Sequence, residues 1–196
     1  FGSGAGYAAS GTATAYNGVP TVNKADASVT WHNIGTSSLN ITADGVYYVT
    51  GSTTTNQITV AANVTAGIYL KNATIDLRSQ TGKSPILLNN GSNVSLELMG
   101  TSYVYGGPAG NGSNGIHGSG AAGGVNAVAG GVGAGAGVSV PSGAKLHVEG
   151  TGMLYAYGGD AGDGGNADTT GAGVADIMNT GGGGGGGAGA GIGGVG

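Results

Sequence analysis

The chain contains no cysteine, which removes disulfides and every thiolate metal site from consideration. It has little charge: Lys24, Lys71, Arg78, Lys83 and Lys145 are its only Lys and Arg residues, against nine acidic ones, and charged residues make up 7% of the whole. Nucleic-acid binding needs clustered cations to neutralise phosphates, and these five are mostly spread out, so a nucleic-acid partner is not expected. No apolar run approaches the roughly 20 residues that span a bilayer, and no basic amphipathic helix occurs, so no membrane span is expected. Nor does any segment sustain a helical period. The chain begins with Phe1 and no leader-like segment, and the expectation is either a removed leader or a piece of a longer protein.

Glycine is what the chain has in excess, with 48 residues among 196. Disorder usually accompanies high charge and low hydrophobicity, whereas this chain is 39% apolar with a net charge of −4, so it reads as compact. Residues 1–21 are small, polar and glycine-dotted, an arm or an irregular first strand. From about Val22 to Tyr105 the text turns to short runs of Val, Ile, Thr and Tyr separated by Gly and Asn. "NVSLEL" alternates, placing Val94, Leu96 and Leu98 on one face and Ser95 and Glu97 on the other, and Ile68 and Leu70 flank Tyr69 in the same manner.

An internal repeat organises these strands. Ile86–Gly112 and Val138–Gly164 align without a gap at a separation of 52 residues. Gly91 meets Gly143, Glu97 meets Glu149, Tyr103 and Tyr105 meet Tyr155 and Tyr157, and Val94 and Leu96 meet Leu146 and Val148. A unit of three short strands cannot bury its own apolar face, so copies must stack. The fold predicted is all-β: a right-handed parallel β-helix over 22–196, with a β-sandwich as the alternative. Glycine-rich excursions interrupt it at 106–137 and 158–196. Glycines fall there in steps of three (Gly112, Gly115, Gly118; Gly159, Gly162, Gly165), the period of polyproline II, which suits packed glycine strands inserted into the solenoid. A mobile linker is the other reading of the same text.

Candidate chemistry is sparse. "GGDAGDGGNAD" approaches the calcium-binding nonapeptide, making Asp160, Asp163 and Asp168 calcium candidates. Ala161 stands where a third glycine is needed and nothing repeats at nine, so solvated turn aspartates are the better reading and no cofactor is expected. Glu97 and Glu149 are the one acidic pair in matching contexts, and their outward positions suit solubility, so no enzyme is expected. His32, His117 and His147 share no metal-ligand spacing, and His147, between Leu146 and Val148, is expected to point to solvent. If Leu154 and Ala156 face the core, then Tyr103, Tyr105, Tyr155 and Tyr157 form an outward ladder suited to a polysaccharide or a partner protein. Asn40, Asn63, Asn72, Asn90, Asn93 and Asn111 each begin an N-x-Ser/Thr glycan-acceptor triplet.

"SPILLNNGSNVSLELMGTSYVYGG", "AGVSVPSGAKLHVEGTGMLYAYGGDAGDGG" and the closing "GAGIGG" resemble glycine-rich, adhesin-like surface proteins of bacteria and archaea. The resemblance covers roughly Ile68 to Gly196 and departs from the pattern in the tract Gly181 to Gly187 and in stopping where a third copy should begin. It implies a right-handed β-helix, a carbohydrate-binding or adhesin-like role and no catalytic residue. The expected function is an extracellular or cell-surface structural protein, part of a fibre or surface layer that associates with further copies of itself. The alternative is a carbohydrate-binding module that uses the tyrosine ladder.

Overall fold

A computed structural model describes residues 29–115, 129–166 and 182–194. The arm assigned to 1–21 lies outside them. The described residues contain strands and no helix. In chain order the strands are β1 (Val29–Asn33), β2 (Leu39–Ile41), β3 (Gly45–Thr53), β4 (Ile58–Val60), β5 (Thr65–Asp76) and β6 (Ile86–Leu88). They continue as β7 (Asn93–Met99), β8 (Thr101–Tyr105), β9 (Val138–Ser139), β10 (Lys145–Gly150), β11 (Met153–Tyr157) and β12 (Ile192–Gly193).

All strand pairings are parallel, in two sheets. One runs β1-β3-β5-β7-β10, with β8 pairing the second half of β5 and β11 pairing β8; the other runs β12-β9-β6-β4-β2. The chain passes from one sheet to the other and back, so each pass lands beside the previous one. The 52-residue repeat is the register itself: Leu146 pairs with Val94, Val148 with Leu96, Glu149 with Glu97, Tyr155 with Tyr103 and Tyr157 with Tyr105.

Period-2 alternation fixes which side is inside. Ile34, Ile41, Val49, Ile58, Val60, Ile68, Leu70, Ile75, Leu77, Leu88, Leu96 and Val104 are wholly buried in one cluster fed by both sheets. At the β10 end the inward series opens to solvent. Leu146, Leu154 and Ala156 are only partly buried, and Val148, stacked on fully buried Leu96, is 40% exposed.

The corners are columns of left-handed backbone. Asn63 (φ 61°), Gly91 (φ 77°) and Gly143 (φ 83°) occupy one turn in successive passes. Asn tolerates this region through its short polar side chain, and Gly carries no Cβ to obstruct it. At the bend of the larger sheet, Asn72 (φ 47°) underlies Gly100 (φ 71°), and Asn72 Oδ1 accepts a 3.0 Å bond from the Thr101 amide.

The glycine-rich text is hydrogen-bonded in series that each repeat at every third residue. The amides of Gly106, Ala109, Gly112 and Gly115 donate to the carbonyls of Tyr157, Asp160, Asp163 and Asn166, and those of Gly131, Ala134 and Gly137 donate to Gly184, Gly187 and Ala190. These contacts join the two copies in parallel. Within a copy the segments run antiparallel: Gly110 and Ser113 donate to Val132 and Ala129, and Gly162 and Gly165 donate to Gly186 and Gly183. Glycine is required at the contacts, since a Cβ at Gly112 would lie 2.0 Å from the Gly183 carbonyl oxygen and one at Gly159 1.9 Å from that of Gly107.

Candidate functional site

The main surface feature is the outer face of β8 and β11. Ser102 and Val104 point inward and are buried, which turns Tyr103 and Tyr105 outward; the less buried Leu154 and Ala156 do the same for Tyr155 and Tyr157. The parallel register brings like residues together. Tyr103 stacks on Tyr155 with ring centroids 5.1 Å apart and 12° between planes, and Tyr105 on Tyr157 at 4.9 Å and 5°. Along β8, Tyr103 and Tyr105 are 6.4 Å apart and nearly coplanar in orientation, so four rings make a two-by-two grid.

Beneath the grid, Thr74 and Asp76 of β5 are the register partners of Tyr103 and Tyr105. Arg78 reaches back to Asp76, its Nε and Nη2 donating to Oδ1 and Oδ2 at 2.9 and 2.6 Å, and its guanidinium carbon lies 4.6 Å from the Tyr105 ring centre. The hydrogen bond from Arg78 holds the Asp76 carboxyl below the ordinary aspartate range and raises the already high Arg78 value. Tyr105 therefore has a cation on one side and Tyr157 on the other.

Because the rings are stacked face to face, each covers one face of its partner, and Tyr155 and Tyr157 keep their outer faces uncovered by another ring among the described residues. Besides those two faces the grid offers solvent ring edges and hydroxyls, with Tyr103, Tyr155 and Tyr157 between 36% and 47% exposed and Tyr105 half-buried. Sugar binding through flat ring faces needs those faces open, so the stack is a poorer platform for it than four separate rings would be.

A second aromatic row escaped the sequence reading. Trp31, Tyr48 and Tyr69 are register partners on β1, β3 and β5, with centroids 4.1 Å apart for the first pair and 6.4 Å for the second. The row continues into Glu97 and Glu149. Its spacings along the chain are unequal, so no fixed-period search finds it; the available signal was an aromatic at the outward position of each strand.

The remaining candidates are scattered. Ser95, expected outside, is buried because its Oγ donates to Glu149 Oε1 at 2.7 Å. His147 lies on the outer face of β10, as expected, and is half-buried, with Nε2 3.6 Å from Glu149 Oε2. His32 Nε2 sits 2.8 Å from the Ser37 carbonyl oxygen, and His117 lies outside the described residues. Asp160 and Asp163 are exposed, Asp168 lies outside the described residues, and no group of three or more potential metal ligands occurs among those described. Of the acceptor asparagines, Asn40, Asn63, Asn72, Asn90 and Asn111 are exposed and Asn93 half-buried. Asn63 and Asn72 hold corners, and Asn111 Oδ1 accepts the Asp163 amide at 2.9 Å. No helix among the described residues is long and apolar enough to cross a membrane. In comparisons with known proteins, the chain matches no family model, no curated protein and no solved structure.

Proposed function

We propose that this chain is a structural building unit of an extracellular or cell-surface fibre or layer, and that its two sheets are faces of one right-handed parallel β-helix. The alternation of passes between sheets supports the helix, and the strong preference of parallel crossovers supplies its hand. On this reading the three-residue hydrogen-bond period marks the glycine-rich segments as polyproline II strands packed alongside. The unit lengthens by adding like units end to end.

The observation that carries the proposal is the open edge of the last described pass. At β10, β11 and β12 three kinds of stacking stop together: the strand edges pair on one side only, Val148 and Ile192 are 40% and 49% exposed, and the outer faces of Tyr155 and Tyr157 have no next ring among the described residues. The glycine segments repeat the pattern. The amides of Gly158, Ala161 and Gly164, and of Gly184, Gly187 and Ala190, stand in the phase with which the preceding copy donates, and they meet no backbone acceptor among the described residues. Unpaired edges and uncapped repeats invite addition of another unit.

Electron microscopy of concentrated protein tests this, with filaments or ordered sheets expected and Val148→Glu expected to abolish them. A chain that stays monomeric by sedimentation at every concentration and forms no ordered array overturns it. Adhesion to a polysaccharide is the second reading, favoured by the row of exposed tyrosine hydroxyls. It requires that glycan retention be lost in Tyr103→Ala with Tyr155→Ala while the fold persists.

A further inference from the structure

The tyrosine grid also meets the requirements of a covalent modification site. Coupling of two phenols needs rings close enough that side-chain rotation alone, tilting them out of the stack, brings two ortho carbons together, and exposure that lets an oxidant reach them. Tyr103 and Tyr155, both exposed, meet both conditions at 5.1 Å, and half-buried Tyr105 lies 4.9 Å from exposed Tyr157, on a solvent-facing strand pair whose register prevents sliding. The other described tyrosines are less suited. Tyr47 is half-buried with its hydroxyl donating to the Ala43 carbonyl, and Tyr48 and Tyr69 are 6.4 Å apart with Trp31 against Tyr48.

We propose that Tyr103–Tyr155 and Tyr105–Tyr157 are sites of oxidative dityrosine cross-linking, joining one repeat copy to the next. The oxidant is a one-electron oxidant of the haem-peroxidase class working with hydrogen peroxide. It removes one electron and one proton from each phenol, giving two phenoxyl radicals. These join by a carbon–carbon bond between ring positions ortho to the oxygens, and the hydrogen on each joined carbon moves to the neighbouring oxygen, restoring both phenols. Each link thus releases two protons and two electrons, which reduce one peroxide to two waters. The product pins the stack at its solvent face, where no buried contact holds it. The chemistry needs one chain only, so it stands or falls separately from end-to-end assembly.

The test treats dilute, monomeric full-length chain with a haem peroxidase and hydrogen peroxide, then digests it with trypsin. Cleavage after Lys83 and Lys145 separates the peptide carrying Tyr103 and Tyr105 from the one carrying Tyr155 and Tyr157. The expected result is a joined peptide pair, lighter than its two parts by two hydrogens for each link, together with dityrosine fluorescence. Tyr155→Phe combined with Tyr157→Phe keeps the ring stack but supplies no phenol, and is expected to lose the joined pair entirely. Peptides that stay separate while tyrosines are oxidised elsewhere, links formed only between molecules, or a joined pair that persists in the Phe variant would each overturn the proposal.

Discussion

Alanine substitution along Gly183 to Gly187 should give a response that repeats every three residues. A Cβ at Gly183, Gly185 or Gly186 would lie 2.1, 2.0 or 1.8 Å from the carbonyl oxygens of Ala129, Gly162 and Val132, whereas at Gly184 and Gly187 it meets nothing within 4 Å. Reaching ordinary contact at 3.4 Å requires neighbouring segments to part by about 1.3 to 1.6 Å, judged from those distances. That separation breaks bonds such as Gly186 to Gly110 at 3.1 Å and Gly162 to Gly186 at 2.9 Å. Two such bonds at about 1 kcal/mol each, with overpacking of about 1–3 kcal/mol, give a loss of roughly 3–5 kcal/mol at each tight position. In a chain of this size that lowers Tm by on the order of 10 °C. Gly184→Ala and Gly187→Ala should instead gain about 0.5 kcal/mol by restricting the unfolded chain. Thermal unfolding by circular dichroism, with amide exchange to localise the change, reads the series. Five variants of equal stability would refute the packed-glycine account.

Other expectations follow from the columns and the core. Gly91→Ala combines φ 77° with a Cβ 2.2 Å from Asn63 Oδ1, so urea unfolding should show a loss of about 2 kcal/mol or more. Asn72→Ala should cost more than Asn72→Gly, because alanine loses the bond to Thr101 and also keeps the left-handed strain. Leu96→Ala, at a fully buried site between Ile68 and Val148, should cost about 2–5 kcal/mol in the same assay. For Asp76, the folded carboxyl titrates below its unfolded value, so its contribution is present above that unfolded value and is lost as pH falls through the folded one. Carboxyl NMR should show the Asp76 midpoint rising towards the ordinary aspartate value in Arg78→Ala, and an unmoved midpoint would dismiss the pairing.

Much of this architecture was legible because its period is written in the residues. The alternation in "NVSLEL" and the gapless 52-residue match predicted the buried faces and the partners Tyr103 with Tyr155, since a repeat that stacks on itself must place equivalent residues one above the other. Passes before Ile86 carry the same parallel pairing with unequal lengths between strands, which is why the Trp31, Tyr48 and Tyr69 row was invisible to an alignment at one spacing. The burial of Ser95 was missed for a related reason: it depends on Glu149, a neighbour across the stack rather than along the strand. The three-residue glycine step announced the segments, but their antiparallel pairing within a copy left no mark in spacing, because glycine on glycine looks the same in either direction.

The glycine segments are held by backbone amides and carbonyls and bury little beyond small side chains such as Ala109, Ala134 and Ala136. Melting them therefore hydrates mainly peptide groups, which lowers heat capacity, while melting the strand core hydrates hydrocarbon, which raises it. The two parts should respond to cold differently: the hydrocarbon core loses strength on chilling as its driving force fades, and the amide lattice keeps its own. One chain thus carries a flat stability curve alongside a domed one, and near freezing its glycine-rich flank should be the part that holds.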